Sequence, residues 1–181
     1  MSSIKSKIIV AGMLLFTAFS TKTEVSASFI DAVYDDNISL IDVYLSLGAD
    51  VEFLGVVENT ALLFAAKKNN LSMMQLLIDN GANVNAQNHY GMSALMYAVD
   101  NRNVDMVTLL LLDSNIDVDL QSNKGCTALI FAVKHNRLDL VQQIFSAGAT
   151  LNVQDNGGCD ALCYAHQRGY QDIIDYLESI N

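Results

Sequence analysis

Proline and tryptophan are absent from the 181 residues, and basic residues are scarce, with 10 lysines and arginines against 20 aspartates and glutamates. A chain without proline carries none of the residue that breaks helix interiors, which suits a helix-rich fold. The formal net charge of −10 argues against nucleic acid as a partner, because binding a phosphate backbone rests on clustered lysine and arginine. Charged residues of both signs make up only 17% and hydrophobic ones 51%. That balance excludes a disordered tail and is enough for one domain with a proper core.

Long apolar runs are also rare. The one that stands out is "IIVAGMLLFTAF", Ile8 to Phe19, preceded by Lys5 and Lys7 and followed by a polar stretch ending in "VSA" at Val25, Ser26 and Ala27. Twelve residues span about 18 Å as a helix, short of a bilayer core of about 30 Å. The charged, apolar and small-residue layout is that of a secretory signal. Residues 1–27 are therefore expected to be a cleaved signal peptide, with residues 28–181 exported to the periplasm or secreted, not membrane-spanning, and monomeric. Cutting there leaves 7 basic and 19 acidic residues.

Cysteine is sparse and odd in number: Cys126, Cys159 and Cys163. Cys159 and Cys163 are four apart near an expected helix start, where disulfide geometry is poor. Free or metal-bound thiols are the expectation.

What the chain does have is a repeat. "LGADVE" at 47–52, "NGANVN" at 80–85 and "AGATLN" at 147–152 place glycines at 48, 81 and 148, with "SNIDVD" at 114–119 in the intervening slot. A second series, "NTALLFAA", "MSALMYAV", "CTALIFAV" and "CDALCYAH", keeps the same spacing of 33 or 34 residues, and so does a third that carries an amphipathic helix. Thr60, Ser93, Thr127 and Asp160 are placed to cap a short helix, since their side-chain oxygens can accept from its free backbone N–H groups. Ala65, Ala98, Ala132 and Ala165 leave room for the next unit to approach. Asn69, Arg102, Asn136 and Gly169 end the short helix, and a Gly or Asn ends the second one in a left-handed cap. No unit of this kind buries its apolar face alone, so the units must stack.

These residues resemble the ankyrin repeat family, through "GMSALMYA", "GCTALIFA" and "GGCDALCYA" for the first half of the unit and "LLIDNGANVN" and "YLSLGADVE" for the second. The resemblance covers residues 28–181 and implies an all-α solenoid of about five helix-turn-helix units linked by β-hairpin turns. The unit boundaries fall near 28–54, 55–87, 88–121, 122–154 and 155–181. The family's proline is Ala at 61, 94, 128 and 161, and its histidine is Leu63, Met96, Ile130 and Cys163. In the family that histidine helps tie neighbouring turns, so another source of turn rigidity is needed here. Unit one lacks the hairpin and carries Asp31 where the later units have Phe64, Tyr97, Phe131 and Tyr164, as suits an N-terminal cap; "QDIIDYLESIN" reads as a polar C-terminal one.

The resemblance further implies protein binding through hairpin tips and inner-helix ends. Carried over position by position, the partner-binding candidates are Val56, Val57, Lys67, Lys68, His89, Tyr90, Met92, Asn101, Asn123, Lys124, Lys134, His135 and Arg168. Of the seven basic residues after position 27, five (Lys67, Lys68, Lys124, Lys134 and Arg168) fall in these slots, while the acids crowd the outer helices and the first cap. A basic strip on an acidic protein favours a partner acidic at the contact. The same placement also complements helix dipoles at all these positions but Lys124. No catalytic residue, metal site or cofactor is expected. The alternative is a metal- or thiol-dependent protein using Cys159, Cys163 and His166, soft ligands at i, i+4 and i+7.

Overall fold

The computed structural model describes residues 21–55 and 58–180. Ten α-helices run through them in antiparallel pairs: α1 (Lys22–Tyr34), α2 (Ile38–Ser46), α3 (Ala61–Lys67), α4 (Leu71–Asp79), α5 (Ala94–Asp100), α6 (Val104–Leu111), α7 (Ala128–Lys134), α8 (Leu138–Ser146), α9 (Ala161–Arg168) and α10 (Gln171–Ser179). The odd-numbered helices stack on one another as an inner layer. Among the outer helices, α4 packs on α6, α6 on α8 and α8 on α10. The result is an all-α repeat solenoid, as the sequence period requires.

Each inner helix starts at its expected cap. The side chains of Thr60, Ser93, Thr127 and Asp160 accept from the backbone N–H three residues on. The alanines at 65, 98, 132 and 165 have no exposed surface, and Leu62, Leu95 and Leu129 beside them are buried. The outer helices repeat an apolar triad: Met73, Met74 and Leu77 in α4, Met106, Val107 and Leu110 in α6, Leu140, Val141 and Ile144 in α8, Ile173, Ile174 and Leu177 in α10. A fully buried side chain of this size stabilises by about 1.5–3 kcal/mol, so the stack is held chiefly by these faces. The short helices end at the expected Asn69, Arg102, Asn136 and Gly169, and these residues all lie at positive φ, joined by Asp36 in the first unit.

Three details depart from the sequence reading. Helix α1 begins at Lys22, so the expected cut after Ala27 falls inside a helix whose residues 25 and 26 are buried. The third outer helix does not end in a left-handed Asn115; Asp113 instead accepts from Asn115 N–H at 2.8 Å and closes the turn by its side chain. The third departure concerns cysteine. Cys159 and Cys163 form a disulfide, with Cα atoms 5.4 Å apart, inside the usual range. Cys159 lies outside α9, ahead of an N-cap Asp160 in extended backbone, so the poor i, i+4 geometry of two helical positions does not apply. Among the described residues no helix is long and apolar enough to cross a membrane.

Candidate functional site

The inner-helix layer carries a row of hairpins at its leading edge, and each is built the same way. Ser122 N–H donates to Cys126 C=O and Asp155 N–H to Cys159 C=O, both at 3.0 Å, and Asn88 N–H donates to Met92 C=O at 3.2 Å. Neighbouring hairpins are zipped by amides. Asn123 N–H donates to Tyr90 C=O and Asn156 N–H to Lys124 C=O, each at 3.0 Å. Their side chains add bonds to His89 C=O at 2.8 Å and Asn123 C=O at 2.9 Å. Gln87 and Gln121 each bridge their own hairpin and the next, bonding Gly91 and Gln121 carbonyls and Gly125 and Gln154 carbonyls respectively. This Asn/Gln ladder supplies the turn rigidity that the missing histidine supplies elsewhere. Gly91 and Gly125 are required twice over, by positive φ and because a Cβ would stand 2.7 Å from the backbone nitrogen of Asn123 or Asn156 in the next hairpin.

Under the hairpins the units differ. In the third, Asn88 donates to Tyr97 OH at 2.9 Å and to Asn59 Oδ1 at 2.9 Å, while its own oxygen accepts from Tyr90 and Met92 N–H. In the fifth, Asp155 accepts from Gly157 N–H at 2.9 Å, Cys159 N–H at 3.2 Å and Tyr164 OH at 2.5 Å. In the fourth, the two corresponding positions are Ser122 and Phe131. Ser122 Oγ accepts one bond, from Cys126 N–H at 3.2 Å, and a phenyl ring offers none. A pocket of about 390 Å³ opens there, lined by Tyr90, Met92, Ser122, Lys124, Phe131 and Lys134, with buried Cys126 among its walls. Pockets of this size and apolar lining with a few polar groups are where ligand side chains seat.

Electrostatics divides the basic strip in two. Lys134 is folded onto the protein: its Nζ is 3.1 Å from Cys126 Sγ, 4.1 Å from the centre of the Tyr164 ring and 4.0 Å from Asp155 Oδ2. Burial pulls the Lys134 pKa down, but contacts to Cys126 and Tyr164 outweigh it and leave it above the ordinary value. The Tyr164 hydroxyl, chiefly, holds the Asp155 carboxyl below the usual carboxylate range against the opposing effect of burial, helped by the Cys159 and Gly157 N–H groups and by Lys134. Lys67, Lys124 and Arg168 are exposed and make no ion pair among the described residues. Lys68 lies 5.5 Å over the Phe64 ring.

The sequence candidates thus sort by what they touch. Tyr90 is 53% exposed with its ring 3.7 Å from that of His89, and Met92 is half-buried at the pocket wall. Asn101 is spent on a 2.8 Å bond to Ala66 C=O, Asn123 on the ladder, and His135 on Asp100 at 2.9 Å. Val56 and Val57 lie outside the described residues. Ser122, Phe131 and the ladder glutamines were missed by sequence reasoning; the signal was there in glutamines recurring at 87, 121 and 154. Cys159, Cys163 and His166 do not form one ligand set: the two sulfurs are joined to each other and His166 Nε2 faces Glu178 at 3.3 Å.

In a comparison with curated proteins nothing matches the chain. The family model described as "Ankyrin repeats (3 copies)" does, over residues 29–122 and 111–180, which span nearly all of the repeat array just described, and the chain therefore belongs to the ankyrin repeat family, whose repeats are protein–protein interaction modules.

Proposed function

We propose that this chain is an exported binding protein that holds an extended segment of a partner along the hairpin tips and inner-helix ends. The segment seats one large apolar side chain in the pocket between the third and fourth hairpins, next to an acidic residue that meets Lys124. The protein acts by occupying its partner, as an inhibitor, immunity-type protein, scaffold or effector, and performs no chemistry of its own. The observation that carries this reading is the pocket. It stands where Ser122 and Phe131 replace the Asn–Tyr and Asp–Tyr pairs of the flanking units, and it lies among candidates already marked by register.

Three further facts support it. Tyr90 and Met92 offer an exposed aromatic and a flexible thioether, side chains suited to anchor an interface. Lys67, Lys124 and Arg168 make no ion pair among the described residues, so an acidic partner is attracted and oriented by them. The leader-like residues 1–19 and the Cys159–Cys163 disulfide both suit an oxidising compartment outside the cytosol. The thiol- or metal-dependent alternative loses its ligands to the disulfide and to the His166–Glu178 pair.

The test is a selection of random displayed peptides on the immobilised protein. Enriched peptides should pair an acidic residue with a large apolar one. Tyr90→Ala should weaken the best of them at least tenfold, about 1.4 kcal/mol, and Lys124→Glu should turn the selected charge from acidic to basic. Peptides without charge bias, or binding indifferent to both variants, would refute the reading.

A further inference from the structure

We infer that export processing cuts the bond between Ser20 and Thr21, so that Thr21, the N-cap of α1, is the first residue of the mature protein. This rests on the export reading above and moves the cut from the place after Ala27 where the sequence alone puts it. Several bonds after the apolar run follow small residues at −3 and −1, among them those preceded by Val25 and Ala27 before Ser28, by Ser26 and Ser28 before Phe29, and by Ala18 and Ser20 before Thr21. Each satisfies a peptidase that reads small side chains. The fold separates them.

By the 33-residue register of α3 (Ala61–Lys67), the inner helix of the first unit is due at Ser28. It begins six residues earlier, at Lys22. These added residues cover the first unit, which has no hairpin of its own. Val25 is 6% and Ser26 1% exposed, and Ser26 Oγ accepts from Asp50 N–H at 2.9 Å, tying α1 to the turn after α2. Thr21 and Glu24 close a reciprocal cap: Glu24 N–H donates to Thr21 Oγ1 at 3.2 Å and Thr21 N–H to Glu24 Oε2 at 3.0 Å. A cut after Ala27 would remove the cap, the Ser26–Asp50 bond and the Val25 cover together. Residues 21–24 by contrast are exposed, and a cut before them keeps the cap, the Ser26–Asp50 bond and the Val25 cover in place.

The chemistry at the new end also fits. A signal peptidase adds one water across the Ser20–Thr21 amide, leaving a carboxylate on Ser20 in the released leader and an ammonium on Thr21. A positive charge at a helix N-terminus opposes the helix dipole. Here the nitrogen that gains the charge already faces the Glu24 carboxylate, and its bond becomes a charge-assisted one.

The full 181-residue chain, produced in a secreting host, should yield an extracytoplasmic protein whose N-terminal sequence is Thr-Lys-Thr-Glu, confirmed by intact mass. Ser20→Tyr should leave the leader attached. Ala27→Tyr, at an exposed position of α1, should leave the N-terminus at Thr21. An N-terminus at Ser28, or processing blocked by Ala27→Tyr, would overturn the site while leaving export intact. Wild-type chain retained inside the cell with its leader would overturn export and the site together.

Discussion

The fourth and fifth hairpins share a backbone and differ in what lies beneath it. Residue 122 pairs with 126 as residue 155 pairs with 159, and Thr127 caps α7 as Asp160 caps α9. Yet Ser122 collects one side-chain bond where Asp155 collects four, a long one from Cys126 Sγ at 3.8 Å among them, and also faces Lys134. The register decides where the chain goes. Two side chains, at the hairpin start and nine residues later, decide whether the surface is sealed or open. In the fifth unit a carboxylate and a phenol seal it. In the fourth, a hydroxyl too short to reach and a ring with nothing to offer leave a pocket.

The sharpest way to break this comparison is to remove Asp155. With the side chain of Asp155 only 8% exposed, Asp155→Ala leaves the Tyr164 hydroxyl and the Cys159 N–H without their acceptor and Lys134 without its counter-ion. The expected loss is about 3 kcal/mol, set by the 1–3 kcal/mol cost of each buried unpaired group. Ser122→Ala, which removes a single bond, should cost about 1 kcal/mol. Urea unfolding of both variants measures the difference. Equal losses would mean that the two hairpins are held alike and that the Asp155 network adds nothing.

The disulfide is next in size and belongs to the fifth unit alone. It closes a loop of a few residues, for which the chain-entropy account gives at most about 2 kcal/mol. Thermal melts with and without reductant should differ by no more than that. Alkylation of the denatured, unreduced protein should label one cysteine, Cys126, and label three after reduction. Three labelled cysteines without reductant would remove the bridge and restore the free thiols that spacing alone suggests.

That bridge marks the limit of reading by spacing. The register, the caps at Thr60, Ser93, Thr127 and Asp160 and the ends of the short helices at Asn69, Arg102 and Asn136 were legible, because each recurs at a fixed place in the repeat; that these three turn in the left-handed region came only with the structure. The disulfide was not, because its feasibility turns on Cys159 lying outside the helix, ahead of an Asp160 in extended backbone, a matter of one residue at a helix start. The long α1 was hidden because the period stops there: residues 22–27 replace a hairpin instead of repeating one. The basic strip was legible as a set of positions. Its division into exposed Lys67, Lys124 and Arg168 and a committed Lys134 was not, since that depends on Tyr164 and Asp155 reaching Lys134 from the next unit. The pocket was invisible for the same reason, being defined by two positions whose meaning appears only against their neighbours.

Transplanting the fifth unit's pair into the fourth tests that statement directly. Ser122→Asp with Phe131→Tyr should bring a carboxylate and a phenol together beneath the hairpin and close the pocket. Binding of a selected peptide should fall about tenfold, or about 1.4 kcal/mol, while the urea midpoint stays level or rises. A double variant that binds as well as the wild type would detach the pocket from the interface.

The smallest effect is read from acidity, and its sign follows from the Asp155 network. A carboxyl held below its unfolded value contributes stability that is fully present above an ordinary carboxylate pKa of about 4 and is lost as pH falls through the folded value. The stability gap between wild type and Asp155→Asn should therefore be flat from neutral pH down to about 5 and narrow below it. Lys134 sits on the opposite limb. Its pKa is raised, so its share of the same network persists throughout the acid range and fades only as pH climbs past the ordinary lysine value of about 10.4. Ser122→Asn in the fourth unit, which adds no titrating group, should show no such narrowing against wild type. A gap for Asp155→Asn that widens on acidification would mean that the carboxyl is folded in its protonated form, and the contrast between the sealed and the open hairpin would then rest on shape and not on charge.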